Sequence, residues 1–208
     1  MKRMIALFLT ILTLTACARN SAAPQTEDGA TPNLAPPPSE MLLETENFKL
    51  IHTSEKNDGK ESNAEEMPYI HNYTYYIYSQ AGECMDEGTD TVKPPTIQYA
   101  SESIVSVCFH RGTYAQLYRF YETHEEEISQ SYWNPYLIQE RLIVYYDGDS
   151  GKLIIRDIFN TELYYKEFSR DISTSAHPKA TELSESELKI TYYTPNLDEI
   201  AETISLLD

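Results

Sequence analysis

Between residues 141 and 170 the chain reads RLIVYYDGDSGKLIIRDIFNTELYYKEFSR, a layout that few folds other than antiparallel sheet accommodate. Arg141 to Tyr146 and Lys152 to Phe159 are short runs rich in β-branched and aromatic residues, the types that fit a pleated surface. Asp147-Gly-Asp-Ser-Gly151 separates them, with glycines able to take positive φ and Asp and Ser side chains able to bond their own backbone. A second turn at Asn160-Thr161 leads into Glu162 to Phe168. Apolar run, turn, apolar run, repeated, predicts a three-stranded meander. The first two runs are almost continuously apolar, which predicts strands covered on both faces rather than one.

Similar sets flank this one. Strong strand candidates start at Tyr73, Ile104, Leu142 and Leu188, a recurrence of roughly thirty to forty-five residues that matches meander repeats. The last, Leu188-Lys-Ile-Thr-Tyr-Tyr193, alternates cleanly and so expects one buried face. The fold class read from this pattern is all-β, built of consecutive antiparallel meanders, as a few-bladed or incomplete propeller or as a twisted β-sandwich. Ile154-Ile-Arg-Asp-Ile158 ahead of Asn160-Thr161 resembles the strand-ending region of WD40-type propeller blades, and the Asp147 to Lys152 turn resembles those of quinoprotein-type propellers. The blade Trp and Gly-His marks are missing. Two segments carry a competing helical spacing. Tyr114 to Tyr121 reads better as strand, whereas Asn196 to Leu207, with apolar residues at 197, 200, 204 and 207, fits a short C-terminal helix as well as a closing strand.

The N-terminus carries the clearest biological signal. Met1-Lys-Arg-Met4 is basic, Ile5 to Leu14 is apolar but too short to span a bilayer, and Leu14-Thr-Ala-Cys17 follows. This resembles the lipobox of bacterial lipoproteins. The resemblance implies removal of residues 1–16, a diacylglycerol thioether on Cys17, and anchoring on the extracytoplasmic face of the bacterial cell membrane. Two or more acyl chains, at about 0.8 kcal/mol per buried methylene, anchor stably where one is marginal. Residues 17–44 are rich in Ala, Pro, Ser and Thr and include Pro36-Pro-Pro38; they read as a disordered, semi-extended tether. Residues 45–208 are then a single β domain.

The formal charge is −17 from 16 basic and 33 acidic residues. Such an acidic surface argues against nucleic acid as a partner, since phosphate binding needs clustered cations. The expected partners are the membrane, through the lipid anchor, and an envelope protein or glycan. No cofactor is expected: no phosphate-cradling glycine loop and no Gly-x-Ser-x-Gly elbow occurs. Asp147, Asp149 and Gly151 do not continue into a calcium loop, whose twelfth position is here Ile158. The five histidines lack metal-ligand spacing, and His124-Glu-Glu-Glu127 lacks the second histidine of a zincin. No metal site is therefore expected.

Three candidate features remain. Cys84 and Cys108 fall in adjacent strand units and can form a disulfide outside the cytoplasm. All 17 tyrosines lie between Tyr69 and Tyr193, and the single Trp is Trp133. A patch of Trp133, Tyr132 and Tyr136 beside the Asn134-Pro135 turn suits stacking on a sugar or peptide. The function expected is non-enzymatic binding or scaffolding at the cell envelope. The alternative is a hydrolase whose site assembles from scattered acids and histidines such as His110 and His124.

Overall fold

The computed structural model describes residues 39–57 and 69–207, which lie within one compact unit spanning residues 36–208. It is all-β, with four antiparallel sheets taken up in chain order and no helix among the described residues. The first sheet comprises β1 (Ser39–Glu44), β2 (Phe48–Lys56), β3 (Tyr69–Tyr78) and β4 (Cys84–Asp90). The second comprises β5 (Thr96–Tyr99), β6 (Ile104–His110) and β7 (Gln116–Glu122), with two short strands, β8 (Glu127–Ile128) and β9 (Tyr132–Trp133), both paired to β7. The third holds β10 (Leu137–Gln139), β11 (Leu142–Asp147), β12 (Lys152–Asp157) and β13 (Tyr165–Ser169); the fourth holds β14 (Ala180–Leu183), β15 (Glu187–Tyr193) and β16 (Glu199–Ser205).

Three hydrophobic clusters stack these sheets in series. Phe48, Leu50, Tyr75 and Ile77 of the first sheet meet Val105, Val107, Phe109 and Tyr121 of the second. The opposite face of the second sheet sends Ile104, Phe120 and Tyr132 onto Ile143 and Ile158 of the third. Val144, Leu153 and Ile155, on the far side of the third sheet, pack on Leu188, Ile190, Tyr192 and Ile204 of the fourth. No core cluster among the described residues joins the fourth sheet back to the first, and no sheet closes into a barrel. The consecutive meanders read from the sequence are thus an open series of face-to-face sheets.

Burial follows hydrophobic pattern strand by strand. In β6 all residues but the last are buried, and β12 buries Leu153, Ile154 and Ile155 in succession, because each strand supplies two interfaces. β15 alternates buried Leu188, Ile190 and Tyr192 with Lys189 and Thr191, since its sheet ends the series. The turn between β11 and β12 is the expected one: Gly151 takes φ 67, and the Asp147 carboxylate accepts from the Asp149 amide and the Ser150 hydroxyl at 3.2 and 2.5 Å.

The structure decides one open alternative and moves one boundary. The C-terminal segment is strand, not helix: β16 pairs with β15 along all seven residues from Glu199↔Tyr193 to Ser205↔Glu187. The helical spacing of apolar residues is incidental, for Leu197 occupies a turn at φ 66 and Leu207 is exposed, while Ile204 and Leu206 are buried at two-residue spacing. Helix competes poorly where β-branched Ile200, Thr203 and Ile204 find a strand edge to complete. The six residues Ser39–Glu44, at the end of the tether as read from sequence, form strand β1 on the edge of the first sheet.

A close approach fixes one glycine. Gly88 in β4 lies opposite Tyr75 in β3, and a Cβ built on Gly88 falls 2.7 Å from the Tyr75 ring. The ring is itself wedged in the first interface, 6% exposed. Gly88→Ala is expected to displace it and cost about 1–3 kcal/mol, as overpacking does, measurable as a lower denaturant midpoint at unchanged m-value.

Candidate aromatic binding cleft

Trp133 is the second residue of β9, pairs with Leu117 of β7, and is 54% exposed. Its placement is rigid. After β9 the chain turns at Asn134, which takes φ 43, a left-handed conformation Asn tolerates better than most residues. The Asn134 amide donates to the Gln116 carbonyl at 2.8 Å and its side-chain oxygen accepts from the Gln116 amide at 2.7 Å. Two residues on, the Tyr136 amide donates to the Val144 carbonyl at 2.7 Å. Trp133 is thereby held between the second and third sheets with its indole outward.

Around it the loop ends of the sheets form a cleft of about 190 Å³. Tyr114, 74% exposed, comes from the turn between β6 and β7; Tyr136 follows Trp133; Tyr146 and Gly148 come from the β11 hairpin. Ser173 to His177, from the link between β13 and β14, complete the wall. The Ser173 amide donates to the Tyr193 carbonyl at 2.7 Å, anchoring the link to the fourth sheet. His177 Nε2 lies 3.2 Å from the Tyr114 carbonyl. A carbonyl only accepts, so this contact places a proton on Nε2 and leaves Nδ1, in the neutral ring, as an acceptor. Burial pushes the Tyr136 hydroxyl up to about 12, so it remains a neutral donor at physiological pH.

A second cleft of about 430 Å³ adjoins the first across Trp133, Tyr146 and Gly148, and is lined further by Tyr145, Asp147 and Asp149. No Lys or Arg lines either cleft.

The patch read from the sequence divides. Trp133 and Tyr136 share the first cleft, whereas Tyr132 lines only the second, together with Trp133. Neighbours in a strand point to opposite sides, so Tyr132 enters the core, 1% exposed, and donates its hydroxyl to the Ile158 carbonyl at 2.5 Å. Burial raises that hydroxyl too, to about 12. Tyr114, Tyr146 and residues 173–177 were not legible as partners of Trp133. Tyr114 and Tyr146 read as strand residues, and nothing local said which strand ends and links would meet.

The other candidates do not converge. Cys84 and Cys108 are separate thiols, Cys84 exposed at the start of β4 and Cys108 buried on the β6 face that meets the third sheet, beside Tyr118. The expected disulfide is therefore not formed: the first sheet packs on the other face of β6. Of the histidines weighed for a hydrolase, His110 ends β6 and bonds Thr96 at 3.2 Å, while His124 follows β7. Antiparallel pairing sets them at opposite ends of one hairpin, about 20 Å apart at the strand rise. Among the described residues no group of three or more His, Cys, Asp or Glu is placed to hold a metal ion. Cys17 lies outside the described residues.

The sequence matches no known protein family and no characterised protein.

Proposed function

We propose that this chain is a bacterial lipoprotein, held on the extracytoplasmic face of the membrane through Cys17, whose β domain is a non-enzymatic binding module for an envelope glycan or protein. The observation that carries the binding half is the exposure of Trp133. A domain with three apolar interfaces leaves its only tryptophan 54% open to solvent, fixed by backbone hydrogen bonds, in a cleft with Tyr114 and Tyr136. Rigid aromatic side chains with polar tips lose little entropy on binding and offer both stacking surface and hydrogen bonds.

The test follows from the same residue. Because Trp133 is the sole tryptophan, its emission reports the cleft alone. A saturable change is expected when the full chain is titrated with solubilised envelope fractions, glycan or protein. Trp133→Ala is expected to abolish binding by calorimetry while changing stability by less than about 0.5 kcal/mol, as exposed substitutions do. If no fraction alters the emission, the binding reading fails.

Anchoring is tested separately. The mature chain is expected to partition into the membrane fraction and to carry fatty acid on Cys17, whereas Cys17→Ser remains unacylated and loses stable membrane association. Equal partitioning of both forms, without lipid on Cys17, overturns this half.

A further inference from the structure

We infer that the ligand of the Trp133 cleft is a neutral oligosaccharide lying across both adjoining clefts, an inference that rests on the binding reading above. Three observations select this chemistry. First, aromatic surface and uncommitted polar groups occur together. The Trp133 indole N–H and the Tyr114 and Tyr136 hydroxyls make no hydrogen bond to the described residues, and Thr174 Oγ1 is likewise unspent. A sugar presents C–H faces for stacking and a rim of hydroxyls that both donate and accept, so it uses each kind of group.

Second, the electrostatics exclude acidic ligands. No Lys or Arg lines either cleft, Asp147 and Asp149 line the second, and the chain carries −17 overall. Uronic or sulfated sugars meet like charge there. Neutral hydroxyls instead gain charge-assisted bonds to the Asp149 carboxylate, which has no partner among the described residues; that of Asp147 is engaged within its turn.

Third, the two clefts share Trp133, Tyr146 and Gly148, so one ligand passes over both. An extended ligand of repeated units fits that continuity better than a monosaccharide. A peptide held by strand addition needs a long open edge, and β9 offers only Tyr132–Trp133.

The experiment titrates the full chain in detergent with maltopentaose, cellopentaose, chitopentaose, their disaccharides, pentagalacturonate and a polyproline decapeptide, following Trp133 emission. At least one neutral pentasaccharide is expected to give a saturable response. The matching disaccharide and the uronate are expected to bind about tenfold more weakly or worse, a difference of about 1.4 kcal/mol. Tyr114→Ala, which keeps the reporter and alters an exposed residue, is expected to weaken the pentasaccharide with unchanged circular dichroism. Equal or tighter binding of the uronate overturns the inference. A response to the decapeptide or to envelope protein, with every sugar silent, overturns the saccharide assignment and leaves the binding reading standing. Silence toward all probes and all envelope fractions overturns both.

Discussion

Phe120→Ala is expected to destabilise the domain by about 3–5 kcal/mol, enough to remove a large part of a typical domain's stability. Phe120 is fully buried in β7, on the face that joins the second and third sheets. Its ring lies 6.0 Å from that of Tyr132 and 6.2 Å from that of Tyr118. Its backbone is fixed as well: the amide donates to Ser129 Oγ at 2.9 Å and the carbonyl accepts from the Ser129 amide at 3.0 Å. A backbone held on both sides does not collapse into the space, so the truncation leaves a cavity as well as lost apolar burial. Urea unfolding followed by circular dichroism measures the effect. The contrast with Trp133→Ala, one strand away and nearly neutral, separates core aromatics from cleft aromatics. A Phe120→Ala variant within 1 kcal/mol of the parent would show that the second and third sheets do not depend on each other.

Arg141→Ala is expected to cost about 2 kcal/mol near neutral pH and to flatten the acid limb of the stability curve. Arg141 Nε donates to Asp157 at 3.0 Å and Nη2 to Glu127 at 2.9 Å, and the guanidinium lies 5.0 Å over the Phe159 ring. The Asp157 carboxylate is only 6% exposed and also accepts from the Phe159 and Asn160 amides at 2.9 Å each, shaping the turn that ends β12. Burial by itself raises this carboxyl, but Arg141 and the two amides outweigh it and hold Asp157 below the usual carboxylate range. A depressed folded-state value stabilises the native chain above the unfolded carboxylate pKa, and that stability is lost as pH falls through the folded value. The parent is thus expected to lose stability from about pH 4 downward. The variant, with Asp157 less depressed, should show a shallower loss; parallel curves would remove Arg141 from the account. Glu167 and Glu199, also held low by Lys152 and Lys179, are solvent-exposed and add little to the slope.

What the sequence determined by itself was everything governed by near neighbours. The Asp147 to Gly151 turn, the continuous runs of β6, β11 and β12, and the alternation of Leu188 to Tyr193 are local chemistry, and each predicted its strand. Continuity against alternation also told the inner sheets from the end sheet, because a strand covered twice has no polar side to show. Where two local patterns competed, as in Glu199–Ser205, the open edge of β15 decided for strand, and an edge is a property of the assembled sheet.

The cleft belongs wholly to tertiary structure. Tyr114 and His177 come from connections and Trp133 and Tyr146 from the strands β9 and β11, with 63 positions of chain between the first and the last. They meet because three sheets stack in order and align one set of loop ends. That Tyr132 is buried while Trp133 is exposed follows from the two-residue period of a strand, which only the pairing of β9 with β7 brings into force. Cys84 and Cys108 stay apart for a similar reason: adjacent sheets share an interface, but a residue on the far face of β6 takes no part in it. Pattern along the chain specifies elements, whereas which faces and loops meet depends on the stacking that buries the most apolar surface at once.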